Sequence, residues 1–190
     1  MKKLVLTLFL PLHIPHLMAF YLSANRDCII KDLKHHTLKW EWNIHDLLYS
    51  LTFHSDFRAV FYFRIGLWKY LIGWLHPVFL NLYFLTPEIG PGLRIQHGFS
   101  TVIAAKSIGK NCWINQQVTI GYTNDYDCPV IGDNVTINAG AIVIGDITIG
   151  NNSTIGAGAV ITKSVPPNST VVGNPARIIK RDGERVDIKL

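Results

Sequence analysis

An aliphatic residue at every sixth position limits this chain more than any other feature. Ile131, Ile137, Val143, Ile149, Ile155 and Ile161 recur without a slip, and position i+4 holds only small or β-branched residues: Val135, Ala141, Ile147, Ser153, Ala159 and Val165. Gly132, Gly150 and Gly156 fill i+1, while Val102, Ile108, Ile114 and Ile120 carry the beat upstream with Cys112 and Val118 at i+4. A period of six belongs neither to a helix nor to an alternating flat strand. It predicts a parallel β-helix in which each hexad is a short strand and a corner, and three hexads close a triangular coil of about 18 residues. The aliphatic residue points inward and stacks on its equivalents. Such coils wind left-handed, against the usual crossover rule. Cys112 then reads as a packed core residue rather than a nucleophile.

The beat breaks in two places. From Ile95 to Val102 the step is seven residues, with the extra one around Gln96-His97-Gly98. From Ile120 to Ile131 it is eleven, so GYTNDYDCPV contains a five-residue bulge. Interruptions of a rigid repeat are where a site can be built.

Composition divides the chain. Of the 21 aromatic residues 17 lie before residue 89, whereas 13 of the 15 glycines lie after it. The expected organisation is a helical region over residues 1–88, a β-helix over 89–180 and a tail over 181–190: a mainly β, left-handed parallel β-helix preceded by α-helices. Residues 56–75 read as one helix with Ser55 as its cap and Asp56 in the first turn, and residues 26–50 as one or two shorter helices. On composition, this half is a cap or oligomerisation region with no chemistry of its own. Residues 4–22 are apolar apart from His13 and His16, and as a helix would reach about 28 Å. Pro11 and Pro15 speak against a straight span. A peripheral or re-entrant membrane anchor is preferred there to a packed helix, and both to a cleaved signal or a true span. The net charge of +5 is spread over both halves, so no nucleic-acid partner is expected. Three scattered cysteines make no disulfide framework or zinc knuckle.

Residues 131–179, with Val-Pro-Pro and Gly-Asn-Pro-Ala-Arg-Ile, together with FRAVFYFRIGLWK at 57–69, resemble the hexapeptide-repeat acyltransferases and, within them, the serine O-acetyltransferase branch. The resemblance implies an acetyl-CoA-dependent O-acetyltransferase with His97 as general base, the only histidine after residue 76. Imidazole titrates near neutrality and suits removal of a hydroxyl proton. The family's acidic residue before that histidine is Gln96 here, a second orienting acid is Leu82, and its second histidine is Cys128. Glu41, Asp46, Asp56, Asp125 and Asp127 are candidates for the missing acid. Gln96, Asp127 and Cys128 are expected to meet the acceptor. Gly121, Tyr122, Ala139, Gly140, Ala157 and Gly158 are expected along the pantetheine arm, where small residues let it approach the backbone, with Lys163, Arg177 and Lys180 at the nucleotide phosphates.

The altered acceptor positions favour a sugar hydroxyl, as in capsule or surface-polysaccharide modification, over the serine acetylation of cysteine biosynthesis. A non-catalytic trimeric scaffold is the third reading. A homotrimer is implied, with a dimer of trimers as the further alternative, working in the cytoplasm or peripherally on the inner face of its membrane. No metal is expected: a zinc site of the carbonic anhydrase type needs three histidines, and the repeat region has one.

Overall fold

The computed structural model describes residues 9–78 and 80–190. Its second half is a parallel β-helix with three faces. The first face carries strands Leu82–Phe84, Thr101–Ile103, Thr119–Gly121, Ile142–Ile144 and Val160–Ile161. The second carries Glu88–Ile89, Ser107–Ile108, Val130–Ile131 and Thr148–Ile149, and the third Arg94–Ile95, Trp113–Ile114, Thr136–Ile137, Thr154–Ile155 and Ser169–Val172. The third face ends in an antiparallel hairpin, Arg177–Arg181 with Glu184–Lys189, so the expected tail is a strand. The first strand, Leu82–Phe84, lies ahead of the expected boundary at 88/89 and already pairs with Thr101–Ile103.

The repeat packs as its spacing requires. Ile89, Ile108, Ile131 and Ile149 align on one face, and Ile95, Ile114, Ile137, Ile155 and Val171 on another. All are buried. One register differs from expectation. Ile103, not Val102, pairs with Ile120 and is fully buried, whereas Val102 is half-buried. The inward step is therefore eight from Ile95 to Ile103 and five from there to Ile108, because the corner after Ile95 is enlarged and the next is shortened. The glycines before the second corner answer a need for space: a Cβ on Gly109 would lie 2.6 Å from the Gly132 carbonyl carbon.

Sequence reading missed a ladder at that corner. Asn111, Asn134, Asn152 and Asn168 all take left-handed backbone, φ 55° to 59°, which asparagine tolerates better than most residues. Their amides bond from coil to coil at 3.0–3.1 Å, ending on Asp182 at 2.9 Å.

Five helices precede the coils: α1 (Leu10–Leu22), α2 (Arg26–Thr37), α3 (Ile44–Phe53), α4 (Ser55–Ile65) and α5 (Trp68–Ile72). α3 begins in a capping box made by Asn43 and Asp46. The single helix expected over 56–75 is broken at Gly66, whose φ of 61° no helix accommodates. Ser55 is not its cap: His54 occupies that position with extended backbone and makes no side-chain cap bond.

Residues 10–22 form a helix packed on its neighbours along one side, with Leu10, Ile14, Met18, Tyr21 and Leu22 exposed on the other. α1 buries His13, His16, Ala19 and Phe20. His13 lies 2.9 Å from Thr52 Oγ1, and His16 lies 2.9 Å from the Tyr62 hydroxyl. His13 also stacks on His76 at 4.7 Å. Burial lowers the pKa of both His13 and His76 to about 4. Residues 4–8 of the apolar segment lie outside the described residues. Among those described, no helix is long and apolar enough to cross a membrane.

One buried ion pair joins the two halves. Arg64 on α4 bonds Asp32 on α2 at 2.8 and 3.2 Å and donates to the carbonyls of Ile89 and Gly90 at 2.6 and 2.7 Å. Asp32 in turn accepts from the amides of Gly92 and Leu93, both at 2.7 Å. A corner of the first coil is thus held by helix side chains.

Candidate active site

The corner between the third and first faces collects much of what the sequence singled out. Its stacked turns are Gln96-His97-Gly98-Phe99-Ser100, Asn115-Gln116-Gln117-Val118, Asn138-Ala139-Gly140-Ala141 and Gly156-Ala157-Gly158-Ala159. Backbone bonds fix the stacking: Gln117 N–H to Phe99 O, Gly140 N–H to Gln116 O, and Gly158 N–H to Ala139 O, at 2.9–3.0 Å. His97 therefore stands at one end of an edge along which Ala139, Gly140, Ala157 and Gly158 succeed one another. Gln117 has a φ of 58° and Gly140 and Gly158 have 69° and 67°, so the corner itself admits a side chain. A Cβ on Gly158 would meet nothing within 4 Å. Glycine at 140 and 158 leaves a bare strip of backbone open to a ligand.

His97 is exposed, with φ 65°. Its Nε2 lies 3.5 Å from Gln96 Nε2, and its backbone N–H donates to Asp56 Oδ2 at 3.4 Å. The Gln96 Oε1 is buried without a hydrogen-bond partner among the described residues. Leu82 packs beneath Gly98 and brings no charge. Of the five acids weighed from the sequence, Asp56 is the one hydrogen-bonded to the histidine's own residue. The helical half, expected to be a cap without chemistry, thus places a carboxylate on the backbone of His97. α4 is packed on the third face, and its first turn delivers a carboxylate to the corner.

Two further histidines arrive with it, and sequence reading passed over both. His36 near the end of α2 and His54 before α4 face each other, Nε2 to Nδ1, at 2.8 Å. Burial, opposed by the Asp56 charge, lowers the His36 pKa to about 4. Arg94, 4.2 Å above the Trp113 ring, faces the same group. The signals were present as the pair His35-His36 and the triplet His54-Ser55-Asp56, but nothing in their spacing indicated that the helices would meet there.

The remaining residues lie elsewhere. Tyr122, Asp127 and Cys128 belong to the loop at the corner between the first and second faces, Gly121 ends the strand that enters it, and Lys163 lies on that same corner. Asp127 is engaged within its loop, accepting from Thr123 N at 2.7 Å, Asn124 N at 3.0 Å and Asn124 Nδ2 at 3.1 Å. The Thr123 hydroxyl does most to hold its carboxyl below the usual range. Cys128 borders an open depression with Lys106, Tyr126 and Asp146. Arg177 and Lys180 are exposed on the terminal hairpin, where Arg177 pairs with Asp187 at 2.5 Å. Cys112 is buried, and burial pushes its thiol up to about 11, which suits a core residue.

The family profile "Bacterial transferase hexapeptide (six repeats)" matches residues 128–163. A serine acetyltransferase of Staphylococcus xylosus is 50% identical over 103 residues, 52% of this chain and 48% of that protein. The solved serine acetyltransferase of Neisseria gonorrhoeae superposes with a TM-score of 0.68 at 31% identity, covering 85% of this chain and 68% of the other. Soybean serine acetyltransferase complexed with serine gives 0.64 at 32%, covering 81% and 69%. The chain spans about half the length of the curated relatives it matches.

Proposed function

We propose that this chain, which belongs to the hexapeptide-repeat acyltransferase superfamily and its serine O-acetyltransferase-like branch, moves acetyl from acetyl-CoA to the hydroxyl of serine. The observation that carries the reading is His97 at the head of an open edge of small residues, with the Asp56 carboxylate bound to its backbone. His97 takes the hydroxyl proton as the oxygen attacks the thioester carbonyl, then returns it to the departing thiolate. No covalent enzyme intermediate is needed, and neither Cys112 nor Cys128 is asked for one. Asp56 brings to the His97 backbone amide a carboxylate that Leu82 and Gln96 do not offer, and Gln96 meets the acceptor through its Nε2, beside His97 Nε2. The relatives' names move the acceptor away from the sugar that the sequence favoured.

A homotrimer completes the site in this reading. Within one chain His97 and the Gly121–Cys128 loop occupy different corners of the prism, so a second copy is required to bring that loop, with Lys163, to the base. Exposed Leu67, Tyr70, Leu71 and Trp74 offer a surface on which two trimers could pair. The chain works where acetyl-CoA is made, in the cytoplasm. Peripheral contact with the membrane's inner face would use Ile14, Met18 and Tyr21, exposed on α1.

A second reading keeps the saccharide acceptor, because Gln96 and Cys128 are neutral where the branch has an acid and a second histidine. Free-thiol release from acetyl-CoA decides between them, with serine tested against a panel of sugars, nucleotide-sugars and polysaccharide repeats. Serine-dependent turnover falling roughly 10²–10⁴-fold in His97→Ala is expected. Turnover with a saccharide alone establishes the second reading. Silence with every acceptor, together with no acetyl-CoA binding, leaves a trimeric scaffold.

A further inference from the structure

We propose that His36, His54 and Asp56 form a binding site for a divalent transition-metal ion of the zinc type, beside the catalytic corner. One ligand atom from each lies within 4.8 Å of the others, and all three residues are half-buried. The three come from two helices: His36 from the last turn of α2, and His54 and Asp56 from the start of α4. Packing on their own side fixes the imidazoles. The His36 ring lies 5.3 Å from Phe57 and 4.8 Å from the His54 ring, nearly perpendicular to the latter at 85°.

The set of two imidazoles and one carboxylate is nitrogen and oxygen only, without thiolate. It suits zinc, cobalt, nickel or copper better than calcium or magnesium. Three protein ligands leave a coordination position for water or for a ligand atom of another molecule. At 2.8 Å the two ring nitrogens share one hydrogen. A tetrahedral ion with metal–nitrogen bonds of about 2.0–2.1 Å needs them roughly 3.3 Å apart, so a small opening of the pair replaces that hydrogen with the ion. Asp56 has the same carboxylate on the His97 amide and in the cluster. Loading the site therefore adjusts the acid next to the base without entering the transfer, which needs no metal.

Titration of the purified full chain with Zn²⁺, read by competition with a chromophoric chelator, tests the site without reference to acetyl transfer. Failure here leaves the His97 reading standing. One equivalent per chain is expected. His36→Ala and His54→Ala should each weaken binding by roughly 100-fold or more, since even outer-shell partners of a metal cost 10–100-fold. His45→Ala, on the exposed side of α3, should leave it unchanged. Co²⁺ should give visible d–d bands that vanish in His36→Ala. If His54→Ala fails to fold by circular dichroism, His36→Gln provides the same test. No binding by the wild type, or binding that survives both histidine substitutions, overturns the proposal.

Discussion

The two halves of this molecule are stabilised in different ways. In the β-helix a residue's neighbours are its own equivalents one coil away, so the same aliphatic stack, the same close glycine contact and the same asparagine bond are made again and again. In the helical half each polar contact is made once: Asp32 with Arg64, His13 with Thr52, His16 with Tyr62. Repetition spreads the stabilisation thinly over many equivalent positions. The helices concentrate it in a few contacts, and one of these also ties the halves together.

The largest effect should follow from cutting that tie. Arg64→Ala leaves a buried carboxylate with only backbone amides, and such breakage costs about 3–5 kcal/mol. Urea unfolding should show the loss, and Arg64→Lys, which keeps the charge but not the fork of donors, should recover only part of it. If Arg64→Ala costs no more than a surface substitution, the halves are not coupled as described.

Acid should come next. His13 and His76 titrate near 6.5 when unfolded and near 4 when folded. Between those values the unfolded chain binds more protons, so their stabilisation is complete above pH 6.5 and is lost as pH falls toward 4. At pH 5 one such histidine accounts for about 2 kcal/mol. A melting series from pH 7.5 to 5 should fall steeply in the wild type and less so in His76→Phe. Equal slopes would sink the idea.

The smallest effect belongs to the repeat. Asn134→Ala removes two exposed amide bonds and places alanine at φ 56°, for a loss of about 1–2 kcal/mol. A similar loss from Asn152→Ala would confirm that the rungs are interchangeable, and unequal losses would show that the coils are not.

This contrast also explains what could be read from the sequence. A repeat announces itself, because one inward position forecasts the next, and the stack from Ile131 to Ile161 lies where spacing put it. The register slipped only at Ile103, where corner lengths change and two adjacent β-branched residues compete for one inward place. His97 stood out because it interrupts the repeat. Asp56 was one of five acids and could not be preferred, since its place depends on how α4 docks on the third face. His36 and His54 are 18 residues apart, and no periodicity links them. The asparagine ladder sits three residues after each aliphatic position, on an exposed corner where asparagine is ordinary turn chemistry and carries no signal of its own.

The hairpin at the chain's end has a consequence for association. A β-helix offers an unpaired rim of backbone at each end, an invitation for a second solenoid to stack on and grow a filament. Here the helices cover the first coil. At the other end the final strand turns back antiparallel and lines the rim of the third face with Glu184, Arg185, Asp187 and Lys189. A mixed row of charges on an antiparallel strand is a poor template for another parallel coil, so a second solenoid should not add to this face.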